Sequence, residues 1–172
     1  MKPTTTETLV QVRNLAVDFR TADAPVHAVK GVDEMARVVK PGGIAAAYAW
    51  DMVGGGFPME PVRAEMRAAG LKPLQPPSFE ASRIDALREL WTNAGFVEVE
   101  TREIVATRTF ADFEDFWETT LLGASIKSVL AELPAADIAA IKERVRARLP
   151  ADASGCVSYT ARANAVKGRK SA

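Results

Sequence analysis

Residues 32–51, VDEMARVVKPGGIAAAYAWD, decide how the rest of the chain is read. Val32, Met35, Ala36, Val38 and Val39 recur at helical spacing and give an inward stripe, with Glu34, Arg37 and Lys40 turned outward. Pro41 stops the helix, because it lacks an amide hydrogen and disfavours helical dihedrals at Lys40. Gly42 and Gly43 supply the reversal. Ile44, Ala45, Ala46, Ala47, Tyr48, Ala49 and Trp50 are then all apolar, which predicts a central strand covered on both faces.

EMARVVKPGG followed by an apolar strand resembles the class I S-adenosylmethionine-dependent methyltransferases of the small-molecule (UbiE/type 11) kind. The resemblance continues through RIDALRELWTNAGFVEVETREI and TFADFEDFWETTLLG and covers roughly residues 32–168. It implies an α/β fold: the C-terminal half of a Rossmann-like seven-stranded sheet with inserted helices. In the family, residues 44–50 would be the fifth strand, residues 96–105 the sixth, and the last strand would run antiparallel between its neighbours. S-adenosylmethionine is the implied cofactor and a small molecule the implied substrate. The family's G-x-G-x-G turn and its acidic residue belong before Val32 and are not found there. No cofactor-binding residue is therefore assigned, and the expectation is a truncated or fused relative. The alternative is a non-catalytic α/β remnant with a binding role.

Upstream, residues 9–19 mostly alternate, with Val10, Val12, Leu15, Val17 and Phe19 on the apolar side and a kink near Asn14. Residues 26–29 read as a second strand, so an N-terminal β-hairpin is expected, either on a bare sheet edge or apart. LVQVRNLAVDFRTADAPVHAVKGV resembles the opening of an oligopeptide-type ABC transporter ATPase, in which an aromatic near Phe19 would stack on adenine. No G-x-x-x-x-G-K-[ST] loop follows, and Phe19 reads as a strand residue. Three segments result: residues 1–31, a methyltransferase-like part over 32–168, and a disordered tail, 169–172.

Downstream, Asp51 leads into Gly54-Gly55-Gly56-Phe57 and a helix over about 58–69. Strand, triple glycine and helix outline a phosphate cradle, but neither phosphate motif is matched. The alternative is a connector at the carboxyl end of a strand, where open α/β sheets place ligands. Trp50, Asp51 and Phe57 are the substrate-side candidates, each with a structural reading beside it: core indole, helix-side polar residue, staple contact. Ser82-x-x-Asp85 and Thr109-x-x-Asp112 read as helix caps. Trp91 reads as core. Phe113, Phe116, Trp117 and Leu121 form a helical stripe that reads first as packing, with Trp117 a further substrate candidate by the resemblance. Pro134 opens an amphipathic helix whose Lys142, Arg144, Arg146 and Arg148 read as a solvated face. Residues 156–166 predict the last strand.

The chain has 172 residues, 22 basic against 22 acidic, which gives no electrostatic reason to expect nucleic acid. No apolar run reaches the ~20 residues of a membrane span. The single cysteine, Cys156, excludes an intramolecular disulfide and fits a cytoplasmic location. His27 and Cys156 read as structural, and no metal spacing occurs. A homo-oligomer, or a partner chain on the bare sheet edge, is expected.

Overall fold

The structure, a computed structural model, describes residues 28–76 and 78–172. The elements in chain order are α1 (Ala28–Val38), β1 (Ile44–Trp50), α2 (Glu60–Ala68), a 3₁₀ turn (Phe79–Ser82), α3 (Ile84–Asn93), β2 (Phe96–Phe110), α4 (Phe113–Leu121), α5 (Ala124–Leu130), α6 (Ala135–Arg148) and β3 (Val157–Lys170). The three strands form one sheet in the order β1-β3-β2, antiparallel throughout. β3 thus lies between its two neighbours and opposes both, as the resemblance implies for the last strand.

Among the described residues β1 pairs with one strand only, β3, and its exposure alternates where its composition predicts cover on both faces: Ile44 and Tyr48 are exposed, and Ala45, Ala47 and Ala49 half-buried. α1 covers one face only. Four alanines in seven residues make β1 apolar without making it large, so composition did not reveal one-sided burial. The turn before β1 forms as expected, with Gly42 at φ 74° and Gly43 N–H donating to Lys40 O at 2.9 Å.

Successive strand residues face opposite sides, and this separates two cores. Val166 faces the first core, with Val32 and Ala36 of α1 and Leu87, Trp91 and Phe96. Val157 and Tyr159 face the second, built from Val62 and Met66 of α2, Phe113, Phe116 and Trp117 of α4, Ile126 and Leu130 of α5 and Ile141 and Val145 of α6. The two cores therefore lie on opposite faces and at opposite ends of β3.

Several local expectations shift. Ala28 and Val29 belong to α1, not to the second strand of a hairpin, and α1 runs unbroken across the boundary drawn at residue 31. The strand reading of residues 9–19, His27 and most of the ATPase-like segment lie outside the described residues. Arg169 and Lys170 are not tail: they end β3, with Lys170 N–H donating to Gly43 O at 2.8 Å and Arg169 Nε to Glu98 at 3.0 Å. A Cβ on Gly168 would stand 2.9 Å from Phe96 Cβ, so this glycine lets β3 pass close beneath the α3 core. β2 runs to Phe110, five residues beyond the expected end, because β3 continues to pair with it. A register shift between Val97 and Glu100, with Glu98 at φ 51°, bends its start.

The expected caps move as well. Arg83, not Ser82, is the N-cap of α3, and Asp85 turns back to pair with Arg83. Thr109 stays in β2 and bonds Ser158. Asp112 caps α4 by accepting from Asp115 N–H at 2.9 Å, while Asp115 accepts from Ala111 N–H at 3.0 Å. The basic side of α6 is more than a solvated face. Arg144 and Arg148 bind Glu65 of α2, which is buried, and Lys142 and Arg146 bind Glu114.

Candidate functional site

At the carboxyl end of β1 the chain turns through residues 51–57, where the triple glycine sits. Asp51 is buried, 6% exposed. Its Oδ1 accepts from Gly54 N–H at 2.9 Å, and its carbonyl accepts from Gly56 N–H at 2.7 Å. Its Oδ2 accepts from Arg162 Nε at 2.9 Å and Nη2 at 2.5 Å. Arg162 also donates through Nη2 to Gly54 O at 3.1 Å and lies 3.7 Å from Glu103. The hydrogen bonds and charge of Asp51 hold the guanidinium pKa above its ordinary value.

The glycines have separate causes. A Cβ on Gly54 would fall 2.1 Å from Asp51 Oδ2, and one on Gly56 would fall 2.6 Å from the carbonyl oxygen of Arg162. Gly55 sits at φ 75°. The amides of Gly54 and Gly56 are spent on Asp51, so they do not point at a phosphate. The reading as a strand-end connector is the one this geometry favours.

Behind the loop, Met52 N–H donates to Ser82 Oγ at 3.1 Å, and Asn164 Nδ2 donates to Ser82 O at 2.8 Å. Asn164 is 3% exposed, and its Oδ1 has no hydrogen-bond partner among the described residues. In front, Tyr159 O–H donates to Phe57 O at 3.3 Å, and the guanidinium of Arg63 lies 5.4 Å from the Phe57 ring centroid. Burial, then the charge of Glu60, raises the Tyr159 pKa. Burial lowers that of Arg63, which donates to Leu74 O at 2.9 Å.

The four candidate residues do not converge. Asp51 anchors the loop. Trp50, its neighbour, is paired with buried Ala163 and shares that residue's face of the sheet, opposite to Asp51. Phe57 is half-buried beside Arg63. Trp117 is 5% exposed in the helical core, stacked on Phe113 with centroids 6.4 Å apart. Two open hollows, of about 480 Å³ on the sheet face by Ala46, Arg102 and Lys167 and about 470 Å³ between α2 and α6, include none of the four. The sequence reading missed Arg162, Ser82 and Asn164. An arginine 111 residues from its aspartate leaves no spacing signal.

The two buried carboxylates among the described residues, Asp51 and Glu65, are held by arginines, and neither is placed as a general base. No group of three or more His, Cys, Asp or Glu able to hold a metal occurs among the described residues, and Cys156 is a half-buried free thiol. No helix among them is long and apolar enough to cross a membrane.

Comparison with known proteins adds a distant likeness. The chain is similar to the crystal structure of a "putative methyltransferase" from Bacillus halodurans C-125, with TM-score 0.39 and 19% identity over 84% of this chain and 58% of that one. It therefore spans somewhat more than half the length of that protein. No family model and no curated protein matches the sequence.

Proposed function

We propose that this chain is a methyltransferase-like domain for a small-molecule acceptor, whose described residues form the acceptor side of the fold and not the donor site. The observation that supports the reading is the place of β3, inserted antiparallel between β1 and β2. That is the arrangement the sequence resemblance calls for. The connector of residues 51–57 then stands at the strand end where α/β sheets hold ligands, clamped by Asp51 and Arg162.

The connector of residues 51–57 does not fit S-adenosylmethionine. A sulfonium donor of this kind needs glycine amides open to approach and a free carboxylate for its ribose. Here the Gly54 and Gly56 amides and both oxygens of Asp51 are already engaged within the chain. This favours a second reading for the polypeptide acting by itself: a non-catalytic α/β domain with a binding role. Isothermal titration of the full chain with S-adenosylmethionine separates the two. Micromolar uptake supports methyl transfer by this chain, and heat at the dilution baseline supports the second reading.

A further inference from the structure

β2 pairs with β3 along one side, and among the described residues no strand takes its other side. Residues 102–109 are exposed without a break, so neither face of this stretch is packed. Val105 is 63% exposed and Ile104, on the opposite face, 36%.

The pairing fixes where the backbone groups of β2 point. Lys170 N–H donates to Gly43 O and Asp51 N–H to Arg162 O, so the even-numbered residues of β3 bond toward β1 and the odd-numbered ones toward β2. Those odd residues oppose the even residues of β2 from Glu100 to Phe110. The N–H and C=O of Thr101, Glu103, Val105, Thr107 and Thr109 therefore point outward. The hydroxyl pairs Thr107–Thr160 and Thr109–Ser158, each at 2.8 Å, sit at the closer, non-hydrogen-bonded positions that this parity requires. The start of the edge is closed: the register shifts between Val97 and Glu100, and Arg88 donates to Val99 O at 3.3 Å. From Thr101 to Thr109 no proline or bulge interrupts it. Arg108 lies 4.6 Å from the Phe110 ring centroid and meets no carboxylate among the described residues.

We propose that two copies of this chain pair through this edge, antiparallel about a two-fold axis at Ile104, giving one sheet continuous across both. The charges select a second copy and its register. With Ile104 opposite Ile104 of the other copy, Glu100 opposes Arg108 of the other copy, and symmetry repeats the pair. Thr101 then opposes Thr107 and Glu103 opposes Val105, which are outward-facing residues able to exchange backbone bonds. Arg102 opposes Ala106, so no like charges stand directly opposite. Centred on Glu103, that carboxylate would meet its own copy. Centred on Val105, Arg102 would meet Arg108. Centred on Ala106 or Thr107, no acid of the strand meets a base. The inference concerns the sheet edge and stands whether or not the chain binds a methyl donor.

The test is analytical ultracentrifugation of the full chain over a hundredfold range of micromolar concentration. A dimer is expected. Arg108→Glu or Glu100→Arg should raise its Kd at least about tenfold, because each sets like charges opposite at two symmetric places. The double variant Glu100→Arg with Arg108→Glu should return to within about threefold of the parent. The register is read by cross-linking in a Cys156→Ser background. Ile104→Cys should oxidise to a covalent dimer, since non-hydrogen-bonded partners lie about 4.5 Å apart at Cα, within disulfide reach. Ala106→Cys should not, because its two copies stand about 13 Å apart along the strands. A monomer at every concentration overturns the proposal, as does a dimer that neither charge change weakens or a double variant no tighter than the single ones. Cross-linking at Ala106 and not at Ile104 overturns the register.

Discussion

Glu65 and its two arginines should respond to mutation unequally. The Glu65 side chain is 5% exposed, whereas Arg144 and Arg148 are 45% and 56% exposed. Glu65→Gln leaves two guanidinium groups that water can still solvate, and the amide keeps an acceptor, so the cost should be about 1 kcal/mol. Arg144→Ala with Arg148→Ala leaves a carboxylate buried without a counter-charge, which should cost about 3 kcal/mol or more. Adding Glu65→Leu to that pair should restore much of the loss, because the buried charge is then gone. The pH dependence should reverse with it. Burial pushes the Glu65 carboxyl up, but hydrogen bonds from Arg148 and Arg144 outweigh it and hold the pKa below its ordinary value. This depressed group contributes stability above the pKa of the unfolded chain, and loses it as pH falls through the folded value. Without the arginines only burial remains, so the cost of the double variant relative to the parent should grow as pH rises past the ordinary carboxylate range. Urea denaturation at pH 7 and at pH 4 measures each free energy. A Glu65→Gln cost equal to that of the double arginine variant, or a double-variant cost that is no smaller at pH 4 than at pH 7, would refute the reasoning.

Three further outcomes follow from single contacts. Gly56→Ala should destabilise by about 2 kcal/mol, because its Cβ meets the backbone oxygen of Arg162 and not a flexible side-chain tip; a thermal midpoint within a degree of the parent would contradict the clamp. Asp112→Ala should cost about 1 kcal/mol by freeing the Asp115 amide, with Asp112→Asn nearly neutral in the same denaturation experiment; equal losses would point away from capping. Trp91→Ala should cost about 3–5 kcal/mol, since the ring is 1% exposed and lies 4.7 Å from the Phe96 ring; loss of less than 1 kcal/mol would show that this core is not as packed as described.

Much of the fold was legible because helix periodicity and turn chemistry are local. The proline and glycines after α1 and the packing of Phe113, Phe116 and Trp117 all come from neighbours within a few residues. Strand burial was not local. Whether an alanine-rich strand is covered depends on which elements reach it, and among the described residues only one face of β1 has a helix over it. Strand ends misled for a related reason. Residues 168–170 look like a polar tail by composition, yet β3 has β1 on one side and β2 on the other, and pairing to both outweighs the weak strand preference of glycine. The caps moved by one position at α3, where Ser82 instead accepts from the Met52 amide thirty residues away, and by three at α4, where Thr109 stays paired in β2 and Asp112 caps.

The candidate site shows the same division more sharply. Gly54-Gly55-Gly56 is the kind of run that invites a ligand reading, because glycine opens the backbone to whatever approaches. What approaches here is the protein itself: the carboxylate of Asp51 at one glycine, the backbone of Arg162 at another, and a left-handed turn at the third. Each cause alone would demand a glycine, and none involves a ligand. The run therefore signals close approach without saying by what, and only the long-range partner decides. Arg162 lies on β3, separated from the loop by five helices, α2 to α6, so the clamp can form only once β3 has inserted beside β1. The loop geometry at the strand end is thus a consequence of sheet completion. A change that frees β3 from β1 should dismantle the loop, whereas one confined to the helical core around Trp117 should leave it intact.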